Sequence, residues 1–219
     1  MTRFIDGEVW GIDPATCTGF AGGLPGEPPR LECVLFRKDD EEPIDEVFGR
    51  GIGWIATKLL HPPAAVFVEA PIPPTQLVKV EAGEIKGVTS FDVGSALMGL
   101  FAIFIGAAKR KGVPIVERAS IRAWRSAFLN DSDLKGDVAK ARCVKYCGLL
   151  GWELPQVWPK DAIRWPDQAI AYRFKQNAAE AAGIRAWGIK WLIAQGLLHP
   201  RGMPELHRTD PLFQRTSPQ

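Results

Sequence analysis

No apolar run in this chain of 219 residues approaches the ~18 residues that a membrane span requires. The opening Met1-Thr2-Arg3-Phe4-Ile5-Asp6 carries no charged-then-apolar leader, so the expectation is a cytoplasmic protein with no membrane role. Cysteines number only four (Cys17, Cys33, Cys143 and Cys147), too few and too irregular for a disulfide framework, and they read as small core residues. Cys143 and Cys147 lie one helical turn apart, but none of the three histidines (His61, His199, His207) clusters with them, which argues against zinc. A Gly-x-Ser-x-Gly elbow and a Gly-x-x-x-x-Gly-Lys-Ser/Thr loop are both missing, and Gly49-Arg50-Gly51-Ile52-Gly53 falls inside a helical pattern instead of following a strand. Serine-hydrolase and P-loop chemistry are set aside on that ground. Internal repeats and low-complexity tracts are missing too.

What is present begins with charge. The formal net charge is +2, yet residues 1–100 carry 8 basic and 15 acidic groups while residues 101–219 carry 19 and 10. Such asymmetry suits a chain that shows a cationic face to a polyanion and keeps carboxylates elsewhere, and solvated helix faces would produce it equally well. A content of 46% hydrophobic and 24% charged residues is that of an ordinary globular protein. The length fits one domain over residues 1–219, with a loose Pro-rich tail over 200–219.

Hydrophobic periodicity predicts an α/β protein. Glu8–Asp13 reads as a strand, Pro14–Gly19 as a turn and Phe20–Leu24 as the returning strand of a hairpin. Leu31–Arg37 alternates and adds a third strand to the meander. Ile44–Leu60 repeats apolar residues at helical spacing and is stopped by Pro62 and Pro63. Ala64–Ala70 is apolar except for Glu69 and has the length of a central strand buried on both faces. After a polar stretch to Lys86 come an apolar helix over Ser90–Lys111 and a fifth strand over Pro114–Glu117. Further helices are predicted over Ile121–Leu129, Lys135–Leu150 and Asn177–Gln195. A structured loop is expected over Gly151–Pro166, where Trp152, Pro155, Trp158, Pro159 and Trp165 interrupt any helix. The result is a mixed five-stranded sheet, an antiparallel meander plus parallel strands, flanked by helices.

Three acids stand out against this pattern. Asp13 ends the first strand, where a side chain is held rigidly at the sheet's edge, although Asp-Pro is also a simple turn initiator. Glu69 closes the run Val66-Phe67-Val68, and a desolvated carboxylate there is expensive unless an Arg or a metal compensates it. Glu180 follows Asn177 by one helical turn, among alanines that permit close packing on a sheet. The same spacing fits Asn177 as an N-cap with Glu180 completing a capping box.

In order along the chain, Gly11-Ile12-Asp13-Pro14-Ala15-Thr16-Cys17-Thr18-Gly19, Val68-Glu69, Lys135-Gly136-Asp137-Val138-Ala139-Lys140 and Asn177-Ala178-Ala179-Glu180-Ala181 resemble the motifs of RuvC-type Holliday junction resolvases, especially short phage versions. The resemblance spans most of the chain. It implies an RNase H-like fold and hydrolysis of phosphodiester bonds in branched DNA such as a four-way junction. It also implies a site holding two Mg²⁺ (or Mn²⁺) ions. On this chain the implied ligands are Asp13, Glu69 and Glu180, with Asn177 where the family has an acid. Lys135 and Lys140 join the catalytic set. Two departures matter: Ala15 stands where the family has Gly, and Asn177 with Glu180 replaces Asp-x-x-Asp. A neutral ligand would hold a second ion less tightly, and Asp161 or Asp167 is the alternative source of the missing charge.

All-oxygen donors suit Mg²⁺ or Mn²⁺, and two such ions roughly 3.5–4 Å apart would activate water and stabilise a departing 3′-oxygen. Lys135 and Lys140 either pair with phosphate or form plain solvated surface. Arg118, Arg122, Arg125 and Arg142, together with Lys109-Arg110-Lys111 and Lys145, are expected to track phosphates by shape instead of reading bases. Trp124 among them reads as a core aromatic. Symmetric cutting of a junction needs two sites, so a homodimer is expected, with the apolar stretch Ala96–Ala108 serving as its interface or as ordinary core. Two rival readings are a non-cleaving module that binds branched DNA, motivated by Asn177, and an actin-like ATPase or kinase. The latter needs a second Asp-x-Gly phosphate turn and a longer chain, and the sequence supplies neither.

Overall fold

The computed structural model describes residues 4–37, 41–71, 78–81, 84–87, 91–156 and 167–199, with backbone alone at 78–81, 84–87, 91–93 and 167–172. Strand β1 (Val9–Asp13) turns back into β2 (Cys17–Gly23), and β3 (Arg30–Leu35) completes the antiparallel meander. Helix α1 (Ile44–Lys58) leads into β4 (Ala65–Glu69), which lies parallel to β1. A separate hairpin of β5 (Val78–Glu81) and β6 (Glu84–Gly87) precedes α2 (Phe91–Arg110) and the last strand of the main sheet, β7 (Ile115–Ala119), parallel to β4. Helices α3 (Ile121–Leu129), α4 (Gly136–Leu149) and α5 (Asp167–Ala194) close the chain. The main sheet runs β3-β2-β1-β4-β7, the mixed five-stranded arrangement that the periodicity predicts.

Strand periodicity of two sends alternate residues to two cores. Trp10 and Ile12 of β1 and Val66 and Val68 of β4 pack with α1 and α2 around Phe36, Leu100 and Phe104. Val9 of β1 and Ala65 and Phe67 of β4 face the other way, against α3, α4 and α5. Asp13 and Glu69 share that second parity, so the pleat alone aims both carboxylates toward α5.

Helix α5 lies on the β1–β2 hairpin at backbone contact. A Cβ built at Gly11 would overlap the carbonyl of Ala181 and the amide of Arg185, and one at Gly19 would overlap the carbonyl of Asn177. Buried Ala178, Ala179, Ala181 and Ala182 keep the helix equally close elsewhere. The approach is pinned by Arg185, 2% exposed, whose guanidinium donates to the carbonyls of Val9 at 3.0 Å, Gly23 at 3.1 Å and Leu24 at 2.6 Å. Burial lowers its pKa to about 10, still high enough to keep it charged at neutral pH.

Several expectations are corrected. Helix α5 begins at Asp167, ten residues before Asn177, so Asn177 is no N-cap and the capping box does not form. The polar stretch that runs to Lys86 contains the β5–β6 hairpin, in which Val78 and Val80 alternate with lysine and glutamate. Within Ala96–Ala108 the residues Ala96, Leu100, Phe101, Phe104 and Ala108 are buried in the core, and Met98 is exposed. Cys143 and Cys147 are core residues as expected, but Cys17 and Cys33 are only half-buried, with their sulfurs 3.0 Å apart across β2 and β3. Asp161, most of the Gly151–Pro166 loop and the tail over 200–219 lie outside the described residues, as does the side chain of Asp167. No described helix is long and apolar enough to cross a membrane.

Candidate functional site

Asp13 and Glu69 terminate the adjacent parallel strands β1 and β4, one residue beyond the Ile12–Val68 pairing. Glu180 comes down onto them from α5, on the turn that Gly11 and Gly19 admit. Glu180 is 4% exposed and Asp13 9%, whereas Glu69 is half-buried at the strand end. Three acids from three separate elements thus share one field. Burial is the main cause of the upward shift in Asp13, and the charges of Glu69 and Glu180 add to it, so this carboxyl sits well above the usual range. Burial and then Glu180 push Glu69 up to about 7 against a hydrogen bond from Trp124. Glu180 is raised by burial, with Lys140 and Arg125 opposing.

As the side chains stand, no three acid, histidine or cysteine groups among the described residues are close enough together to hold a metal ion. Cations occupy part of the space. Arg125 lies 3.5 Å and Lys140 3.7 Å from the two oxygens of Glu180. Arg125 also donates to the carbonyl of Leu134 at 3.0 Å, and its buried Nε has no partner among the described residues. Asn177 faces the same corner, but its amide nitrogen donates to the carbonyl of Cys17 at 2.5 Å.

The basic residues divide by position. Lys140 and the mostly buried Arg125 are the two brought to the acids. Lys135, at the N-cap of α4, and Arg122 are exposed and Arg142 is half-buried; Arg122 pairs with Asp133 at 3.6 Å and Arg142 with Asp131 at 4.0 Å around the α3–α4 connection. Arg118 lies on the opposite face of the sheet, 5.5 Å from the ring of Phe101, away from the carboxylates. Trp124 is fully buried, as a core aromatic should be, and its indole N–H also donates to Oε2 of Glu69 at 2.6 Å. A partner 55 residues away leaves no local pattern from which that bond could be read.

The raised carboxyls make folding pH-dependent. Between the ordinary glutamate value of 4.5 and about 7, the folded chain holds a proton on Glu69 that the unfolded chain releases. Stability is therefore fully present below this window and is lost as pH rises through it, by up to about 1.4 kcal/mol for each pH step from Glu69 alone. Thermal melts of the protein in EDTA are expected to show a Tm that falls from about pH 5 to about pH 8. A flat or rising Tm would mean that the three acids do not share a desolvated field.

No protein-family model and no curated protein matches the sequence. Solved structures do match. The RuvC of T. thermophilus in complex with Holliday junction substrate superposes with a TM-score of 0.54 at 18% identity, over 88% of this chain and 98% of that one. A further Thermus thermophilus RuvC structure gives 0.50 at 21% identity, over 87% and 97%. At such identities the likeness is one of fold: the mixed sheet and its flanking helices are those of RuvC, the RNase H-like arrangement that the motif order implies.

Proposed function

We propose that this protein is a metal-dependent endonuclease that hydrolyses phosphodiester bonds in branched DNA, with the four-way junction as its main substrate. The observation that carries the reading is the placement of Asp13 and Glu69 at the ends of adjacent strands β1 and β4, with Glu180 of α5 near enough for its charge to raise both carboxyls. The donor types suit Mg²⁺ or Mn²⁺, since all three side chains offer hard oxygens and the charge of Glu180 disfavours ionisation of Asp13 and Glu69. Asp13, Glu69 and Glu180 would hold two ions, with the carboxamide oxygen of Asn177 as a neutral donor. Bound there, the metal would supply an activated water and charge stabilisation at the departing 3′-oxygen.

The remaining work belongs to the chain's own groups. Lys140 is one-third exposed at 34% and sits at the mouth of the site, where it can leave Glu180 for a phosphate oxygen. Exposed Lys135 and Arg122, with half-buried Arg142, would form the adjoining cationic surface for the DNA backbone around the α3–α4 connection. A homodimer would present two such sites to a symmetric junction.

A labelled four-way junction incubated with Mg²⁺ or Mn²⁺ tests the reading, and paired nicks at symmetric positions are expected. Binding without nicks under either ion supports a second reading, a module that holds branched DNA without cutting it. The neutral Asn177 and the two cations already paired with Glu180 favour that alternative.

A further inference from the structure

We propose that Trp124 is a positioning residue of the metal site: its indole N–H locks the carboxylate of Glu69 so that the other oxygen stays presented to the ion. The inference rests on the nuclease reading and names a residue which that reading does not use. The bond is 2.6 Å from Nε1 to Oε2, shorter than an ordinary N–H···O contact, and Oε1 of Glu69 has no hydrogen-bond partner among the described residues. A carboxylate at a strand end has a freely turning terminal torsion, and one oxygen held by a rigid buried donor removes that freedom.

The donor is itself fixed from two sides. Its ring lies against Gly183 of α5, where an added Cβ would come within 3.0 Å of ring atoms Cε3 and Cζ3, so α5 gives up a side chain to admit the indole. The guanidinium of Arg125, next in sequence, lies 5.4 Å from the same ring and reaches Glu180. Consecutive residues of α3 therefore hold two of the three acids. A tryptophan that served only as core filling could satisfy its N–H on any nearby backbone carbonyl. This one donates to the single acidic side chain of the apolar strand β4.

Outer donors of this kind typically account for about 10–100-fold in metal affinity. Titration calorimetry with Mn²⁺ on full-length Trp124→Phe is expected to show binding weakened by about that factor, with four-way junction binding in EDTA unchanged. Phe128→Leu is the packing control: it thins the same buried face of α3 without touching a donor, and should lower the Tm while leaving Mn²⁺ affinity within about twofold. Equal Mn²⁺ affinity in Trp124→Phe and wild type, or equal weakening in Phe128→Leu, overturns the positioning role. A readout on the unaltered tryptophan stands even if Trp124→Phe fails to fold. One of the eight indole ¹H–¹⁵N resonances should lie far downfield in wild type and move upfield in Glu69→Gln; no such resonance overturns the proposal. If Trp124→Phe matches wild type while Glu69→Gln is inactive, only this inference fails. A wild type that binds no Mn²⁺ takes the nuclease reading down with it.

Discussion

Asp13→Asn and Glu69→Gln are each expected to abolish junction cleavage while raising the stability of the metal-free protein. A ligand that helps a metal stabilise developing charge contributes several kcal/mol at the transition state, so the loss in rate should be at least about a thousandfold. The stability change has the opposite sign because burial and mutual repulsion disfavour each carboxylate in the folded chain. A neutral amide of the same size removes that repulsion, and the carboxamide introduced by Glu69→Gln keeps an oxygen to accept the N–H of Trp124. Binding of a four-way junction in EDTA should stay within about twofold, since neither acid belongs to the cationic surface. Cleavage measured beside thermal melts at about pH 8 checks both signs together. Retained nicking in either variant would remove the acid cluster from the chemistry.

Glu180→Gln separates the third acid from the other two. Arg125 and Lys140 both face its carboxylate, and Arg125 is 13% exposed, so the neutral variant leaves a buried guanidinium without its counter-charge. Cleavage should fall as in the other variants, but the gain in stability should be smaller than at Asp13 or Glu69, because Lys140 and Arg125 offset part of the burial cost of this carboxylate. Unequal stability gains from three acids in one site would follow from which of them already has cations beside it.

The sheet and two of the acids are legible in the sequence for a simple reason. Period-two patterning gives strand parity, and parity sends Asp13 and Glu69 to the same face without any knowledge of tertiary contacts. Glu180 needs the ordered motifs, because a helix rich in small residues carries little amphipathic signal, and for the same reason the pattern starts that helix at Asn177 instead of Asp167. Arg125 and Arg118 look alike as basic residues in a sequence. Only the packing of α3 turns one toward Glu180, and only the pairing of β7 turns the other to the opposite face. The bond from Trp124 to Glu69 is out of reach on similar grounds: a hydrophobic face and an indole donor are compatible with many partners until the strand that α3 crosses is known. The β5–β6 hairpin does not stand out because its alternation is short and heavily charged.

Gly19→Ala and Gly11→Ala are expected to be among the most destabilising single-methyl changes in the protein. Neither glycine has a positive φ, so the argument is one of space and not of backbone conformation. At Gly19 the new Cβ would enter the carbonyl of Asn177, and at Gly11 it would enter the carbonyl of Ala181 and lie 2.9 Å from the Cα of Arg185. These neighbours are the backbone of α5, which cannot swing aside as the end of a side chain can. Relief requires the whole helix to lift from the hairpin, against the three carbonyl bonds that Arg185 makes at its far side. Overpacking typically costs about 1–3 kcal/mol, and a clash between backbones belongs at or above the top of that range. Lifting α5 also carries Asn177 and Glu180 away from Asp13, so Mn²⁺ affinity should fall in any variant that still folds. Gly49→Ala and Gly53→Ala are the contrast: both lie in α1 with nothing within 4 Å of the added atom, and each should stabilise by up to about 1 kcal/mol through helix propensity. A Gly19→Ala protein that melts with wild type would show that α5 does not rest on the hairpin's backbone, and Glu180 would lose its place beside the other two acids.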